Sequence, residues 1–482
     1  MISLVFSIPG AAVFLFAKMA SLHSGWREIQ AGGREGFVKG RTTRITAASL
    51  HYGSFLDPTA FVSHATIDAS PVLFLNFSVR DIQIHLAGAF CLEFQTREVE
   101  DFVVVDGASR TTAVYLTLKH PPRVYDLREA STEELEFCRR LTEVRFGDGS
   151  GEGISAPVLA FCRTLLLEFD ATLEDTVVQT VVDFLFAVEK FIFEAEIKVG
   201  PPRRILDVSL VLPPRVKHVS SWPVQFAWLT LTTTPGFVYD RFTDEFFTKL
   251  DECSAKLAES VLYGISKLMQ QDLFLDPLVA FERTMTKGYS TRDVENSVLH
   301  CRVPRMTVTP TRWIFFEPDI IQTNRVLREW SSHAQFLRVS IRDENFSRLS
   351  TSKGKLDLVL SKMVNGAKED LWIANRRFRF LGCSNNQVRD HGCFFVDVTD
   401  DDTLVSKIRA WAGNLDSITN VAKYVARLGQ VFSTSTKTVT VDNSDIAWIP
   451  DICENGYCFT DGIGKMTQDL AVEVSSGMCE RH

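Results

Sequence analysis

Alternation of apolar and polar side chains constrains this chain most. Residues 71–86 read PVLFLNFSVRDIQIHL and residues 101–118 read DFVVVDGASRTTAVYLTL. A two-residue period rich in Val, Phe and Ile places one side-chain set on each face of a sheet, so both runs predict strands, with a turn at Asp106-Gly107. The same texture returns after residue 300, where RMTVTPTRWIFFEP, AQFLRVSIRDEN, RRFRFLGCS and CFFVDV predict short strands between polar turns.

Between these regions the period changes to that of helices. Val177, Val181, Leu185 and Val188 share one face of a helix expected over 172–193, with Thr172 and Asp175 suggesting a capping box. A Pro-rich connector follows from Pro201 to Pro223. A second helix is expected over 244–269, with Leu250, Cys253, Leu257, Val261, Ile265 and Leu268 inward and i,i+4 pairs Glu245–Lys249 and Glu252–Lys256. Two more are expected over 404–411 and 417–428, the latter with Ile418, Val421, Val425 and Leu428 inward and Gly429 as its stop. The glycine-rich run Gly147 to Gly153 reads as a surface linker, and short strands return over Gly456–Val474. The expected class is α+β and multi-domain: an unassigned apolar segment 1–69, a strand-rich domain 70–150, a helical and linker region 151–300, and a β-rich part 301–482.

Composition narrows the setting. In 482 residues, a hydrophobic fraction of 45% and 36 Phe supply several cores, and the charged fraction of 23% is that of a globular protein. The ten Cys are widely and irregularly spaced, without C-x-x-C, and read as thiols of a reducing compartment. The first 17 residues are uncharged but lack a preceding basic residue and are interrupted by Pro9. Secretion and membrane insertion are therefore not expected, and a nuclear or cytoplasmic location is.

Charge is unevenly distributed. The net charge is −8, yet residues 302–379 carry 15 Lys/Arg against 8 Asp/Glu, while 380–470 carry 7 against 12. Arg outnumbers Lys 11 to 4 in the basic segment, and aromatics such as Trp313, Phe316 and Trp372 are interleaved. Guanidinium groups pair phosphate through two hydrogen bonds and stack on bases, so a nucleic-acid surface is a candidate reading beside solvated strand faces with ordinary ion pairs. Alternation puts Arg338 and Val339 on opposite faces and returns Arg342 to the face of Arg338. On the helix expected over 417–428, Lys423 and Arg427 are like charges at i,i+4, a cost that an anionic partner would offset.

Four ordered segments carry more than composition does: Val308-Thr-Pro-Thr-Arg312 with Thr323-Asn-Arg-Val-Leu-Arg328; Phe336-Leu-Arg-Val-Ser-Ile-Arg-Asp-Glu-Asn345; Phe380-Leu-Gly-Cys-Ser-Asn-Asn-Gln-Val-Arg389; and Asn420-Val-Ala-Lys-Tyr-Val-Ala-Arg-Leu-Gly-Gln430 with Gly456-Tyr-Cys-Phe-Thr-Asp-Gly-Ile-Gly-Lys465. In this order and spacing they resemble the region of eukaryotic, silencing-type RNA-dependent RNA polymerases that leads into the catalytic core. The resemblance implies entry into an incomplete double-psi β-barrel and RNA-templated synthesis of double-stranded RNA for small-RNA silencing. It also implies single-stranded RNA template and nucleoside triphosphates as partners, silencing-complex proteins as further ones, and Mg²⁺ in the full-length family.

That family holds its metal with an Asp-x-Asp-Gly-Asp motif, because nucleotidyl transfer needs ions bridging the attacking oxygen and the triphosphate. This sequence has no such motif; its nearest acidic run, Asp397 to Asp402, lacks the glycine. The chain is therefore expected to be a fragment, inactive alone, with no catalytic or metal residue assigned and its last residues poorly packed. Its candidate RNA-binding residues are Arg338, Arg342, Arg376, Arg377, Arg389, Lys423, Arg427 and Lys465. The rival reading is a non-catalytic RNA-binding or scaffold protein derived from the same family.

Overall fold

The computed structural model describes residues 42–57, 60–68, 70–76, 81–106, 112–128, 138–145, 153–169, 191–192, 198–200, 212–213, 215–288, 300–330, 335–349, 370–433, 439–459 and 464–479. Two sheets face each other in the N-terminal half. One has six strands, in spatial order Thr42–Thr46, Val72–Asn76, Asp81–Leu86, Phe90–Gln95, Arg123–Asp126 and Arg139–Leu141. The other has seven: Phe191–Ile192, Val99–Asp106, Thr112–Leu118, Thr164–Phe169, Ser49–Asp57, Ala60–Ile67 and Lys198–Gly200. Three of these strands lie in the segment 1–69, for which the sequence had suggested no element.

The period of two is visible in how the cores divide. Phe102, Val104, Leu165 and Leu167 point between the sheets, against Ile82, Ile84, Leu92 and Phe94 of the other sheet. Val103 and Leu166, one residue out of phase, join Phe61 and Tyr115 in a separate cluster. Gly53 sits where the register with Ala60–Ile67 shifts. A Cβ there would lie 1.9 Å from the Val62 carbonyl oxygen, so only glycine fits. The expected helix 172–193 lies outside the described residues except for Phe191–Ile192, which are a short strand rather than a helix end. The turn after Asp106 and most of the glycine-rich run also lie outside them.

The middle of the chain is helical. Helix Trp222–Thr232 is buried on all sides: Val224, Ala227, Trp228 and Leu231 face a helical core, while Trp222, Phe226 and Leu229 face the C-terminal sheet. Its two apolar stripes explain why no amphipathic pattern announced it. The single helix expected over 244–269 is two, Asp244–Glu252 and Ala255–Gln271. Cys253 is extended and the Ser254 side chain caps the second helix by accepting from the Leu257 N–H, so the chain turns there. Glu252 and Lys256 therefore belong to different helices, whereas Glu245 and Lys249 share one, 3.9 Å apart.

The C-terminal sheet has six strands, in spatial order Trp313–Gln322, His300–Val308, Phe336–Ile341, Gly392–Asp397, Arg376–Gly382 and Leu371–Ile373. Five of these match strands expected after residue 300, and Leu371–Ile373 is an addition; the strands expected over Gly456–Val474 reduce to Tyr457–Cys458, because residues from Gln468 form the helix Gln468–Cys479. One face, with Met306, Val308, Leu337, Val339, Phe378 and Phe395, packs on helix Trp222–Thr232. The opposite face is apolar at one end, where Cys301, Val303, Phe336, Phe394 and Val396 meet helices Leu404–Ala412 and Val421–Leu428. At the other end it is polar.

Helix Val421–Leu428 begins later than expected, capped by Asn420, and Val421 is exposed rather than inward. Gly429 does not end it through a left-handed conformation; its φ is −59° and a 3₁₀ turn follows. Glycine is needed there because a Cβ would meet the Cys383 carbonyl oxygen at 2.8 Å. Residues 440–457 are exposed throughout, including Trp448 at 93%. The molecule is thus a mixed assembly of sheets and helices. Among the described residues no helix is long and apolar enough to cross a membrane.

Candidate nucleic-acid interface

The polar end of the C-terminal sheet forms the candidate site. Odd-numbered residues of His300–Val308 and even-numbered residues of Phe336–Ile341 share this face, so Arg305 lies beside Arg338 and Thr307 beside Ser340 in parallel register. The two hydroxyls are 2.8 Å apart. Two clefts open here, of about 470 and 350 Å³, within the range of small-ligand sites. Arg338, Asn386 and Gln387 line both, so Arg338 stands at their junction. Arg342 joins Arg305 in the smaller cleft; Asn324 and Asn385 border the larger.

Asp319 organises the two strand arginines. Arg338 Nη1 donates to its Oδ2 at 3.0 Å, and Arg305 Nε lies 3.2 Å from Oδ1 without the alignment of a hydrogen bond. Arg305 also covers the Phe316 ring, 4.7 Å from its centroid. The register between Trp313–Gln322 and His300–Val308 shifts next to Pro318, a residue that cannot donate to the ladder, and the shift sets Asp319 opposite Val303. Arg342 follows the strand end; its N–H donates to the Val308 carbonyl at 3.0 Å. Its guanidinium has no ion pair among the described residues.

The amides come from the short helix Asn385–Arg389. Ser384 and Gln387 form a capping box, with the Gln387 carbonyl accepting from the Ser384 N–H at 2.9 Å. The Ser-x-x-Gln spacing was the sequence signal that could have located this helix and, with it, Asn385 and Asn386. Arg389 is exposed in its last turn.

The other candidate residues divide differently. Arg376 lies 4.9 Å over the Trp222 ring and 3.4 Å from Asp397, and burial lowers its pKa from the ordinary guanidinium value. Arg379 pairs Asp370 through two hydrogen bonds, at 2.8 and 2.7 Å, and Arg377 donates to Asp402. The acidic run is thereby engaged: Asp397 accepts from Thr399, and Asp401 from Thr403 and Lys407. The hydrogen bond from Lys407, the largest cause, and those from Thr403 hold the Asp401 pKa down to about 2. Lys423, Arg427 and Lys465 are exposed. None of these residues lines the two clefts.

A second charged cluster, absent from the sequence reading, lies where the N-terminal sheets meet the turn after Arg342. Arg140 binds Asp343 through two hydrogen bonds, at 3.0 and 2.6 Å, with both side chains under a tenth exposed. Arg123 donates to Glu98 at 2.9 Å and approaches Asp343 at 3.6 Å, and Asn345 donates to Glu98 at 2.8 Å. Burial works to raise the Asp343 pKa, but the Arg140 hydrogen bonds and charge outweigh it and hold the carboxyl below its ordinary range. Glu98 is lowered in the same way, burial being outweighed by Arg123. Glu344 accepts from the Thr311 N–H at 2.8 Å; burial raises its pKa against the opposing charge of Arg312.

Comparison with known proteins adds identity to this geometry. Residues 308–482 match the family described as RNA dependent RNA polymerase. RNA-dependent RNA polymerase 1 of Arabidopsis thaliana is 36% identical over 183 residues, covering 36% of this chain and 16% of that protein. RNA-dependent RNA polymerase 1 of Schizosaccharomyces pombe is 33% identical over 203 residues, covering 40% of this chain and 16% of its own length. The RNA dependent RNA polymerase QDE-1 from Thielavia terrestris superposes with a TM-score of 0.29 at 16% identity, over 41% of this chain and 23% of that one. The likeness to RNA-dependent RNA polymerases thus lies in the C-terminal part of this chain, 308–482. The chain spans only 16% of the length of the first curated relatives it matches.

Proposed function

We propose that this chain contributes a single-stranded RNA-binding surface to an RNA-directed RNA polymerase that makes double-stranded RNA for small-RNA silencing. The observation that carries the reading is the pair of adjoining polar clefts: Arg305 and Arg342 line the smaller, Asn324 and Asn385 the larger, and Arg338, Asn386 and Gln387 line both. Guanidinium groups supply sequence-independent phosphate contacts, and carboxamides donate to and accept from base edges. Arg376, Arg377, Arg389, Lys423, Arg427 and Lys465 become outlying contacts of a longer RNA path. Nucleoside triphosphates, an incomplete double-psi barrel, silencing-complex partners and a nuclear or cytoplasmic site of action belong to the same reading of the whole protein.

Mg²⁺ is part of that reading for the whole protein and finds no fit in the described acidic run. Asp397, Asp401 and Asp402 already accept from Thr399, Thr403, Lys407 and Arg377.

The test is binding of a labelled single-stranded oligouridylate to the purified 482-residue chain as salt is raised. Each neutralised phosphate contributes about −0.7 to the slope of log K against log salt for a single strand. Reversing Arg338 and Arg342 together to Glu is expected to weaken binding by at least roughly tenfold and to flatten that slope. Equal affinity before and after the change would refute the cleft as the RNA surface.

A further inference from the structure

We propose that the buried Arg140–Asp343 pair is a positioning device that holds Arg342 in the cleft, so that the N-terminal sheets set a contact made by the C-terminal one. The inference rests on the RNA-binding reading of that cleft and goes beyond it, because none of the positioning residues lines it.

Arg342 is the first residue past strand Phe336–Ile341, and the three side chains after it are all tied down. Asp343 is gripped by Arg140, Glu344 accepts from the Thr311 N–H, and Asn345 donates to Glu98. Two of these ties run to the N-terminal sheets. The turn also closes on itself: the Asp343 N–H donates to the Ser347 carbonyl at 2.9 Å, and the Phe346 N–H to the Asp343 carbonyl at 3.0 Å. Phe346 holds a left-handed φ of +61° with its ring 5.2 Å from that of His120, another N-terminal residue. A non-glycine residue keeps that conformation only where its surroundings impose it.

The contrast with neighbouring arginines gives the pair its purpose. Arg305 and Arg338 are aimed by Asp319, and Arg348 by Asp390 at 2.9 Å. Arg342 has no carboxylate among the described residues to aim it. Its direction is set through its backbone, which is held by the Val308 carbonyl on one side and by Asp343 on the other. An arginine aimed through its backbone keeps all its donors for a ligand, and fixing the backbone beforehand lowers the ordering cost of binding.

The experiment is a double-mutant cycle on the full 482-residue chain, read as the salt slope of oligouridylate binding. Arg342→Ala should remove one phosphate contact, about 0.7 of slope. Asp343→Asn should remove the same amount although it lies outside the cleft, and adding Arg342→Ala to it should change nothing further. A general loss of folded protein lowers the bound amplitude and leaves the slope of the folded fraction unchanged. If Asp343→Asn does not fold, Arg140→Lys, which keeps the charge but loses the two-point grip, carries the same cycle with a smaller loss. A wild-type slope in Asp343→Asn or Arg140→Lys, with Arg342→Ala still costing its full amount there, would overturn the positioning role and leave the cleft standing. Should Arg342→Ala and Arg338→Ala both leave the wild-type slope intact, the cleft reading fails and this inference falls with it.

Discussion

Two arginine clusters lie on either side of the same turn in opposite surroundings. At the junction, buried Arg140 and half-buried Arg123 pack against Asp343 and Glu98. In the cleft, Arg305 and Arg338 share one carboxylate, about a third exposed, and Arg342 has none. The chemistry is identical and the surroundings differ. A buried ion pair must be matched charge for charge, because an unpaired charge inside the protein is costly. A solvated cluster can carry excess positive charge, because water screens it until an anion arrives. What distinguishes the buried arginines from those of the proposed RNA surface is the supply of carboxylates, not the number of guanidinium groups.

The sharpest way to break this contrast is to remove one member of the buried pair. Arg140→Ala strands Asp343 in the interior with only Arg123 nearby, at 3.6 Å. The expected loss of stability is about 3–5 kcal/mol, toward the lower end because Arg123 remains. Urea unfolding followed by tryptophan fluorescence measures it. A loss under about 1 kcal/mol would place this pair with surface salt bridges and dissolve the distinction.

Acid titration probes the same pair with a smaller effect. The folded-state pKa values of Asp343 and Glu98 lie below their unfolded values. Their contribution is therefore fully present above the unfolded carboxylate range, near pH 4, and is lost as pH falls through the folded values. Glu344 works the other way: its raised pKa subtracts stability as pH rises through the folded value. Asp343→Asn should flatten the acid limb of the stability curve, its deficit against wild type shrinking as pH falls below about 4. A deficit constant from pH 7 to pH 3 would show that the carboxyl charge contributes nothing.

The sequence disclosed one cluster better than the other for a physical reason. Strand alternation placed Arg338 opposite Val339 and brought Arg342 back to the Arg338 side, and the fold puts both in one cleft. Such local periodicity is readable because the side-chain repeat of a strand is fixed. The segment containing Asp343, Glu344 and Asn345 was recognisable too, but Arg140 lies 203 residues away, and no local pattern announces a partner at that separation. Arg376, Arg377 and Arg379 show the converse. Their density suggested an anion surface, and Asp370, Asp397 and Asp402, brought together by folding, already pair with them, which leaves Arg376 and Arg377 at the edge of the proposed RNA path. Helix Trp222–Thr232 stayed hidden because tertiary burial on both faces erased the amphipathic stripe that marks a surface helix.

The smallest effect is the most discriminating for the cleft. Arg338 pairs Asp319 at 3.0 Å, nearly the same distance as the junction contacts, but both side chains are about a third exposed. Distance alone would predict a cost equal to that of Arg140. Exposure predicts otherwise, because the pair gains little Coulomb energy at high dielectric and Asp319 keeps Arg305 when Arg338 is removed. Arg338→Ala should therefore lower stability by less than about 1 kcal/mol in the same urea assay. That change should still weaken oligouridylate binding, since phosphate loses a contact that water does not replace. A loss of stability as large as that of Arg140→Ala would make Arg338 a structural residue and remove the centre of the proposed RNA surface.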